Sequence, residues 1–246
     1  IGRVYSPDLG FAASPAAAAS ALGDLDLGRA DDWQDWCAKL HGDYLTDTDS
    51  PNGAEWELDM GVALCQIRDS LPQDTIVTLD AGNHTGWAQR YLRFGRPGRI
   101  VGSTCGAMGY SVPAGVSAAL AHKDQLVLSF VGDGGFMMSG QELATAAQYG
   151  ATPIVLLFNN GIYGTIRMHQ ERNYPGRVSG TELLNPDFAA YAVAFGGYGE
   201  TVTSTADFGP AFDRAVASGK PAILEIQVDP QALTPVKTLD QIRAGA

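Results

Sequence analysis

The chain has 246 residues, with 16 Lys and Arg against 27 Asp and Glu, for a formal net charge of −11. Hydrophobic residues make up 45% and charged residues 17%, which is ample for a buried core in one large or two small domains. The acidic balance speaks against nucleic acid as a partner, since phosphate backbones are met by Lys and Arg patches, and no uninterrupted apolar stretch of ~18 residues exists to span a membrane.

In chain order, Ile1 to Tyr5 and the Ala-rich stretch Ala12 to Leu22 read as the exit from a preceding domain. The alanines favour helix and need no functional reading. A short helix is expected around Trp33 to Tyr44, and Thr46 to Gly53 is a loop by its Asp, Ser, Pro and Asn content. Residues 1–50 are therefore expected to be a domain tail plus linker. From Ala54 to Ser70 the apolar residues Trp56, Met60, Ala63, Leu64 and Ile67 recur at helical spacing. A strand follows at Thr75 to Leu79, then the turn Asp80-Ala81-Gly82-Asn83-His84. Gly106-Ala107-Met108-Gly109 opens a helix through Pro113 and Ala118. Leu126 to Val131 and Pro153 to Phe158 are short continuous runs of Val, Ile and Leu, as in strands buried on both faces. Between them Ser139 to Tyr149 reads as a helix, with Ser139 and Glu142 at capping-box spacing and Gly150 where a helix stops. Further helices are expected near Pro186 to Phe195 and Phe208 to Ser218, and a last strand at Ala222 to Val228. Cys37, Cys65 and Cys105 are scattered and odd in number, which suits reduced thiols of a cytoplasmic protein. Cys105, beside the Gly106 turn, reads as a small buried hydrophobe, with pocket lining as the alternative.

Two short motifs carry the chemistry. Gly132-Asp133-Gly134 follows the first apolar run and Asn159-Asn160-Gly161 follows the second, with 27 positions from Asp133 to Asn160. Strand, helix, strand makes a parallel pair with a right-handed crossover. Its strands end on one edge, so Asp133 and Asn160 should emerge side by side, where ligands of open α/β sheets sit. A carboxylate and an amide oxygen, with no Cys or His in either motif, suit a hard cation such as Mg2+. The glycines let backbone approach a charged group closely. The plain alternative is an ordinary βαβ turn with an N-terminal Asp.

This constellation resembles the thiamine diphosphate-dependent enzymes, in the branch that holds acetolactate synthases and 2-oxo-acid decarboxylases. The resemblance implies an α/β fold, a doubly wound and mostly parallel sheet flanked by helices, as the diphosphate-binding part of a larger multidomain enzyme. It places that domain over residues 51–231, with 232–246 as a C-terminal tail. It implies Asp133, the side chain of Asn160 and the carbonyl of Ile162 as Mg2+ ligands, with amides of Gly134 and Gly135 turned toward the diphosphate and Gly132 and Tyr163 beside it. Gly106 and Met108 match the stretch that wedges under the cofactor, Met108 shaping it and the Gly106 carbonyl accepting from its exocyclic amine. Ordinary core filling is the other use of Met108. Gly82, Asn83 and His84 match a turn that contacts the diphosphate, although a loop His is also commonly just solvated.

The resemblance also implies partners. The activating Glu lies in a separate pyrimidine-binding domain, so no catalytic acid is expected here; Glu142 is read as a cap residue, and Glu55, Glu57 and Glu171 as helical or loop surface. A homo-oligomer, dimer or tetramer, follows from sites shared between chains, and a 2-oxo acid such as pyruvate is the expected substrate. An FAD site would lie mostly outside this chain. One departure bears on substrate: nine positions after Asn160, where acetolactate synthases carry Trp, this chain has His169. His169 is a candidate proton relay or a polar surface residue, and Arg167 a candidate partner for a substrate carboxylate or a solvated surface Arg. Two rivals are a stand-alone partner subunit of a two-chain decarboxylase and a nicotinamide-dependent dehydrogenase. The second needs Gly-x-Gly-x-x-Gly, whereas Asp133 sits inside the best turn and Gly102, Gly106 and Gly109 have the wrong spacing.

Overall fold

The computed structural model describes residues 1–26, 28, 33–49, 51, 56–95 and 98–245. Contacts divide the chain into Ile1–Thr46 and Asp47–Ala246. In the first unit, helix α1 (Pro15–Gly23) is capped by Ser14, whose Oγ accepts from Ala17 N–H at 3.2 Å, and buries no residue. Helix α2 (Gln34–Asp49) continues through residues expected to form a loop; of the remainder of that loop, Ser50, Asn52 and Gly53 lie outside the described residues.

Six parallel strands form the sheet of the second unit among the described residues. They are β1 (Ile76–Leu79), β2 (Ile100–Gly102), β3 (Val127–Gly132), β4 (Ile154–Asn159), β5 (Tyr198–Val202) and β6 (Ala222–Gln227), in the order β2-β1-β3-β4-β6-β5. Side chains alternate between two layers, as the two-residue period of a strand demands. Leu128, Phe130, Ile154, Leu156, Phe158, Leu224 and Ile226 join one apolar cluster. Helices α3 (Met60–Arg68), α4 (Thr85–Tyr91) and α10 (Thr205–Ala217) close it through Leu64, Trp87, Phe208 and Phe212. Val131, Val155, Leu157 and Ile223 point the other way, to meet Val112, Phe136, Leu143 and Phe188. Those come from α5 (Ser111–Ala121), α6 (Asp133–Ser139), α7 (Leu143–Tyr149) and α9 (Phe188–Ala194). The expected doubly wound α/β architecture is therefore present.

Three local expectations are corrected. Helix α3 starts at Met60, because Asp59 caps it by accepting from Val62 N–H at 3.0 Å. The residues ahead of it are used by α10: Asp59 N–H donates to Thr205 Oγ1 (2.8 Å) and Thr205 N–H to the Glu57 carbonyl (3.0 Å). Ala54 and Glu55 lie outside the described residues. The Ser139–Glu142 capping box does not form: Ser139 ends α6, its buried Oγ has no partner among the described residues, and Glu142 instead accepts from Thr145 Oγ1 at 2.9 Å. Gly150 does terminate α7 in the left-handed conformation, at φ 69°. The glycine-rich stretch 106–109 is a turn that precedes α5 rather than its first residues.

Candidate functional site

The sheet reverses its order between β1 and β3, and the carboxyl ends of β1, β3 and β4 converge there, where ligands of open α/β sheets are held. A cavity of about 240 Å³ opens at this edge. Of the residues expected to bind cofactor, Gly82, Asn83, His84, Gly106, Met108, Gly132, Asp133, Gly134, Asn160, Ile162 and Tyr163 line it. Gly135 sits one residue deeper in α6, packed against the Asp80 carboxylate. His169 is exposed on helix α8 (Gly164–Asn173), and neither it nor Arg167 is among the lining residues. No glutamate lines the cavity among the described residues.

Asp133 follows β3 as the first residue of α6 and is only 3% exposed. Its Oδ1 accepts from Gly134 N–H at 2.9 Å, and its Oδ2 from Gly161 N–H at 2.9 Å and Asn185 Nδ2 at 2.8 Å. Burial pushes the carboxyl up from its ordinary value, and these three donors, led by Asn185, oppose the shift. Oδ2 is saturated by two donors while Oδ1 carries one, so Oδ1 keeps a lone pair. Asn160 follows β4; its Oδ1 accepts one bond, from Ile162 N–H at 3.2 Å. The Ile162–Glu182 bridge is flanked by bonds from Leu183 N–H to the Gly161 carbonyl and Tyr163 N–H to the Thr181 carbonyl, both 2.8 Å, so this ladder does not consume the Ile162 carbonyl. A carboxylate, an amide and a backbone carbonyl with spare acceptor capacity form an oxygen set for a hard cation. No group of three or more His, Cys, Asp or Glu that could hold a metal ion exists among the described residues, so the set here rests on one carboxylate, an amide and a carbonyl. The donor set fits Mg2+.

Glycine is required at two points. Gly161 adopts φ +67°, turning its N–H onto Asp133. At Gly134 any Cβ would run into the Tyr163 ring.

The other walls are fixed by bonds that sequence reading missed. Asp80, 7% exposed, accepts from Ala81 (2.8 Å), Gly109 (3.0 Å) and Ser111 (3.0 Å) N–H groups, tying the Met108 turn to the end of β1. Thr165 of α8 bonds both the N–H and the Oδ1 of Asn83, at 3.1 and 3.0 Å. Trp87, Phe158 and Leu233 supply apolar lining. All of these come from elements far apart in sequence. Cys105, expected to be buried, is exposed, and its thiol lies 3.1 Å from Ser103 Oγ. Glu171, expected on the surface, is 1% exposed and binds Arg167 at 3.0 Å. That bond directs the Arg167 guanidinium to Glu171.

His84 stacks on Phe158 with centroids 5.8 Å apart, and its buried Nε2 has no hydrogen-bond partner among the described residues. Burial pushes its imidazole down from 6.5 to about 4, against a smaller opposing effect of the Phe130 backbone. The unfolded chain therefore takes up the proton first as pH falls, so stability conferred by neutral His84 is complete above pH 6.5 and is lost down to about 4. The loss should reach at most about 3 kcal/mol. Melts across that window should show the decline in the wild type and a flatter profile in His84→Gln; parallel profiles would contradict it.

Fold and site together define a class: an α/β domain with a cavity at the switch point of a parallel sheet, lined by Asp133, Asn160 and Ile162. Residues 80–226 match the family described as "Thiamine pyrophosphate enzyme, C-terminal TPP binding domain". The chain belongs to this family. It is 34% identical over 200 residues to the acetolactate synthase isozyme 2 large subunit of Escherichia coli K12, covering 80% of this chain and 36% of that protein. It is 37% identical over 167 residues to the acetolactate synthase large subunit of Parasynechococcus marenigrum, covering 67% of this chain and 27% of that one. Among solved structures it superposes on the thiamine diphosphate-dependent 4-hydroxybenzoylformate decarboxylase of Rhodococcus jostii RHA1 with a TM-score of 0.69 and 26% identity, over 74% of this chain and 35% of that one. The chain thus spans about a third of the length of these relatives. No helix among the described residues is long and apolar enough to cross a membrane.

Proposed function

We propose that this chain holds the diphosphate end of thiamine diphosphate through Mg2+, in an enzyme that acts on 2-oxo acids as a lyase or carboligase. The observation that carries the reading is that Asp133, Asn160 and Ile162 line one cavity just beyond the ends of β3 and β4, with acceptor capacity left on Asp133 Oδ1 and Asn160 Oδ1. Bound thiamine diphosphate supplies the carbon nucleophile and the electron sink for 2-oxo acid chemistry.

The chain's own residues bind and orient. Asp133, Asn160 and Ile162 would hold the cation, and Gly82, Asn83, His84, Gly132, Gly134, Gly135 and Tyr163 would flank the diphosphate. Gly106 and Met108, held by Asp80, take the pyrimidine side. Trp87, Phe158 and Leu233 exclude water from the wall. The activating Glu belongs to a pyrimidine-binding domain, and a homo-oligomer brings the two together. Residues 51–231 form the cofactor-holding domain, which contains the whole family match, and Leu233 of the following segment completes its wall. Three free thiols suit a cytoplasmic setting. His169 acts on acceptor choice from outside the cofactor cradle.

Thermal melts of the intact protein test the reading. Thiamine diphosphate with Mg2+ together should stabilise it by about 2.7 kcal/mol at a hundredfold excess over the dissociation constant. Neither alone should do so, and NAD should not. Stabilisation by NAD, or by thiamine diphosphate equally well in chelator, would refute it.

A further inference from the structure

Asp133 is the one carboxylate of the proposed cation site, and a line of hydrogen-bonded polar groups reaches it from β6, two strands away. Glu225 on β6 is 4% exposed. Its Oε2 accepts from Thr201 Oγ1 at 3.0 Å, and its Oε1 from Gln227 Nε2 at 2.8 Å and Asn159 Nδ2 at 2.7 Å. A carboxylate that accepts on both oxygens can face only donors, so the Asn159 amide must turn its NH₂ toward Glu225. The Asn159 oxygen then faces the opposite way, where it accepts from Gly161 N–H at 3.2 Å and Asn185 Nδ2 at 2.8 Å. Asn185 Nδ2 therefore bridges two acceptors, Asn159 Oδ1 and Asp133 Oδ2. Donors and acceptors alternate along the whole line, which fixes both amide orientations by chemistry.

The chain on either side of Asn185 is anchored. Two residues later Asp187 caps α9, accepting from Ala190 N–H at 2.8 Å, and Phe188 is fully buried. On its other side, residues 181 and 183 are bonded to the Gly161–Tyr163 turn.

We propose that Asn185 is a positioning residue for the cation site, itself oriented by Asn159 and Glu225. It occupies Asp133 Oδ2 and so leaves Oδ1 as the oxygen that faces the ion. The proposal rests on the reading of Asp133 as a Mg2+ ligand. Partners that orient a metal ligand commonly contribute 10–100-fold in metal affinity, and no signal for Asn185 exists in local sequence, since it lies 52 positions from Asp133.

The test is a Mg2+ titration of the intact protein at saturating thiamine diphosphate, read as the melting shift, beside melts without ligand. Asn185→Ala should raise the half-saturating Mg2+ concentration by about tenfold or more, with a ligand-free melt close to wild type. Glu225→Gln, which lets the Asn159 amide turn over, should move the midpoint the same way. Half-saturation unchanged in both variants, while the wild type responds to Mg2+, would overturn the positioning role and leave the cofactor reading standing. A wild type that ignores Mg2+ would overturn both.

Discussion

Asp133→Asn should leave the ligand-free domain folded, with a melt close to wild type, and raise the half-saturating Mg2+ concentration for thiamine diphosphate binding by at least ~100-fold. The two halves of this expectation have one cause. In the ligand-free protein the carboxylate is buried, and desolvation works against its charge. An amide of the same size removes that cost, keeps one oxygen to accept from the Gly134 or Gly161 N–H, and gives up part of the bonding with Asn185. Gains and losses therefore nearly offset in the absence of ligand. With the cation present they do not, because the amide supplies no negative charge and Asn160 and the Ile162 carbonyl are already neutral ligands. Calorimetric or melting titrations of the two proteins with Mg2+ at fixed thiamine diphosphate decide the matter. Equal Mg2+ dependence would remove Asp133 from the ion's ligands.

That Asp133 and Asn160 meet was legible in the sequence because both facts needed are local. Each residue directly follows a run buried on both faces, and a single crossover makes such runs parallel neighbours; the pairing of Gly132 with Phe158 puts their ends together. Edge strands gave no such signal. β2 is three residues long and β5 reads Tyr-Gly-Glu-Thr-Val, half-exposed over most of its length, so neither shows a continuous apolar run. The capping-box spacing at Ser139 misled because Asp133 begins a helix directly at the strand end, leaving Ser139 as a last residue instead of a first. Asp80, Asn185 and Glu225 were invisible for another reason. Each makes at least one bond to a group 29 or more positions away, and an isolated Asp, Asn or Glu in a loop or strand says nothing of its partner. Glu171 belongs with them, and its burial carries the second large expected effect.

Glu171→Gln should destabilise the domain by about 3 kcal/mol, the lower end for breaking a buried ion pair, or a fall in melting temperature of about 6–12 °C at this size. The carboxylate is 1% exposed on α8 and accepts four bonds. Arg243 of α11 (Leu239–Arg243) reaches both oxygens, through Nε at 2.9 Å and Nη2 at 3.0 Å. Arg167 Nε donates at 3.0 Å and Gly176 N–H at 2.8 Å. Together with Leu233, Leu239 and Ile242 packed on Met168, this pair fastens the last helix to the helix that follows Tyr163 and carries Thr165 to the cavity. Because Arg243 is 38% exposed, Arg243→Ala should cost less than the Glu171 change. Arg243, then the Gly176 N–H, hold the Glu171 carboxyl down from 4.5 to about 2. The native state thus binds the proton less readily than the unfolded chain. The resulting stability is complete above pH 4.5 and is lost as pH falls toward about 2. Acid melts should therefore show the wild type and Glu171→Gln converging over that window, while near neutrality they differ most. A constant gap at every pH would mean that packing, and not the ion pair, carries the effect.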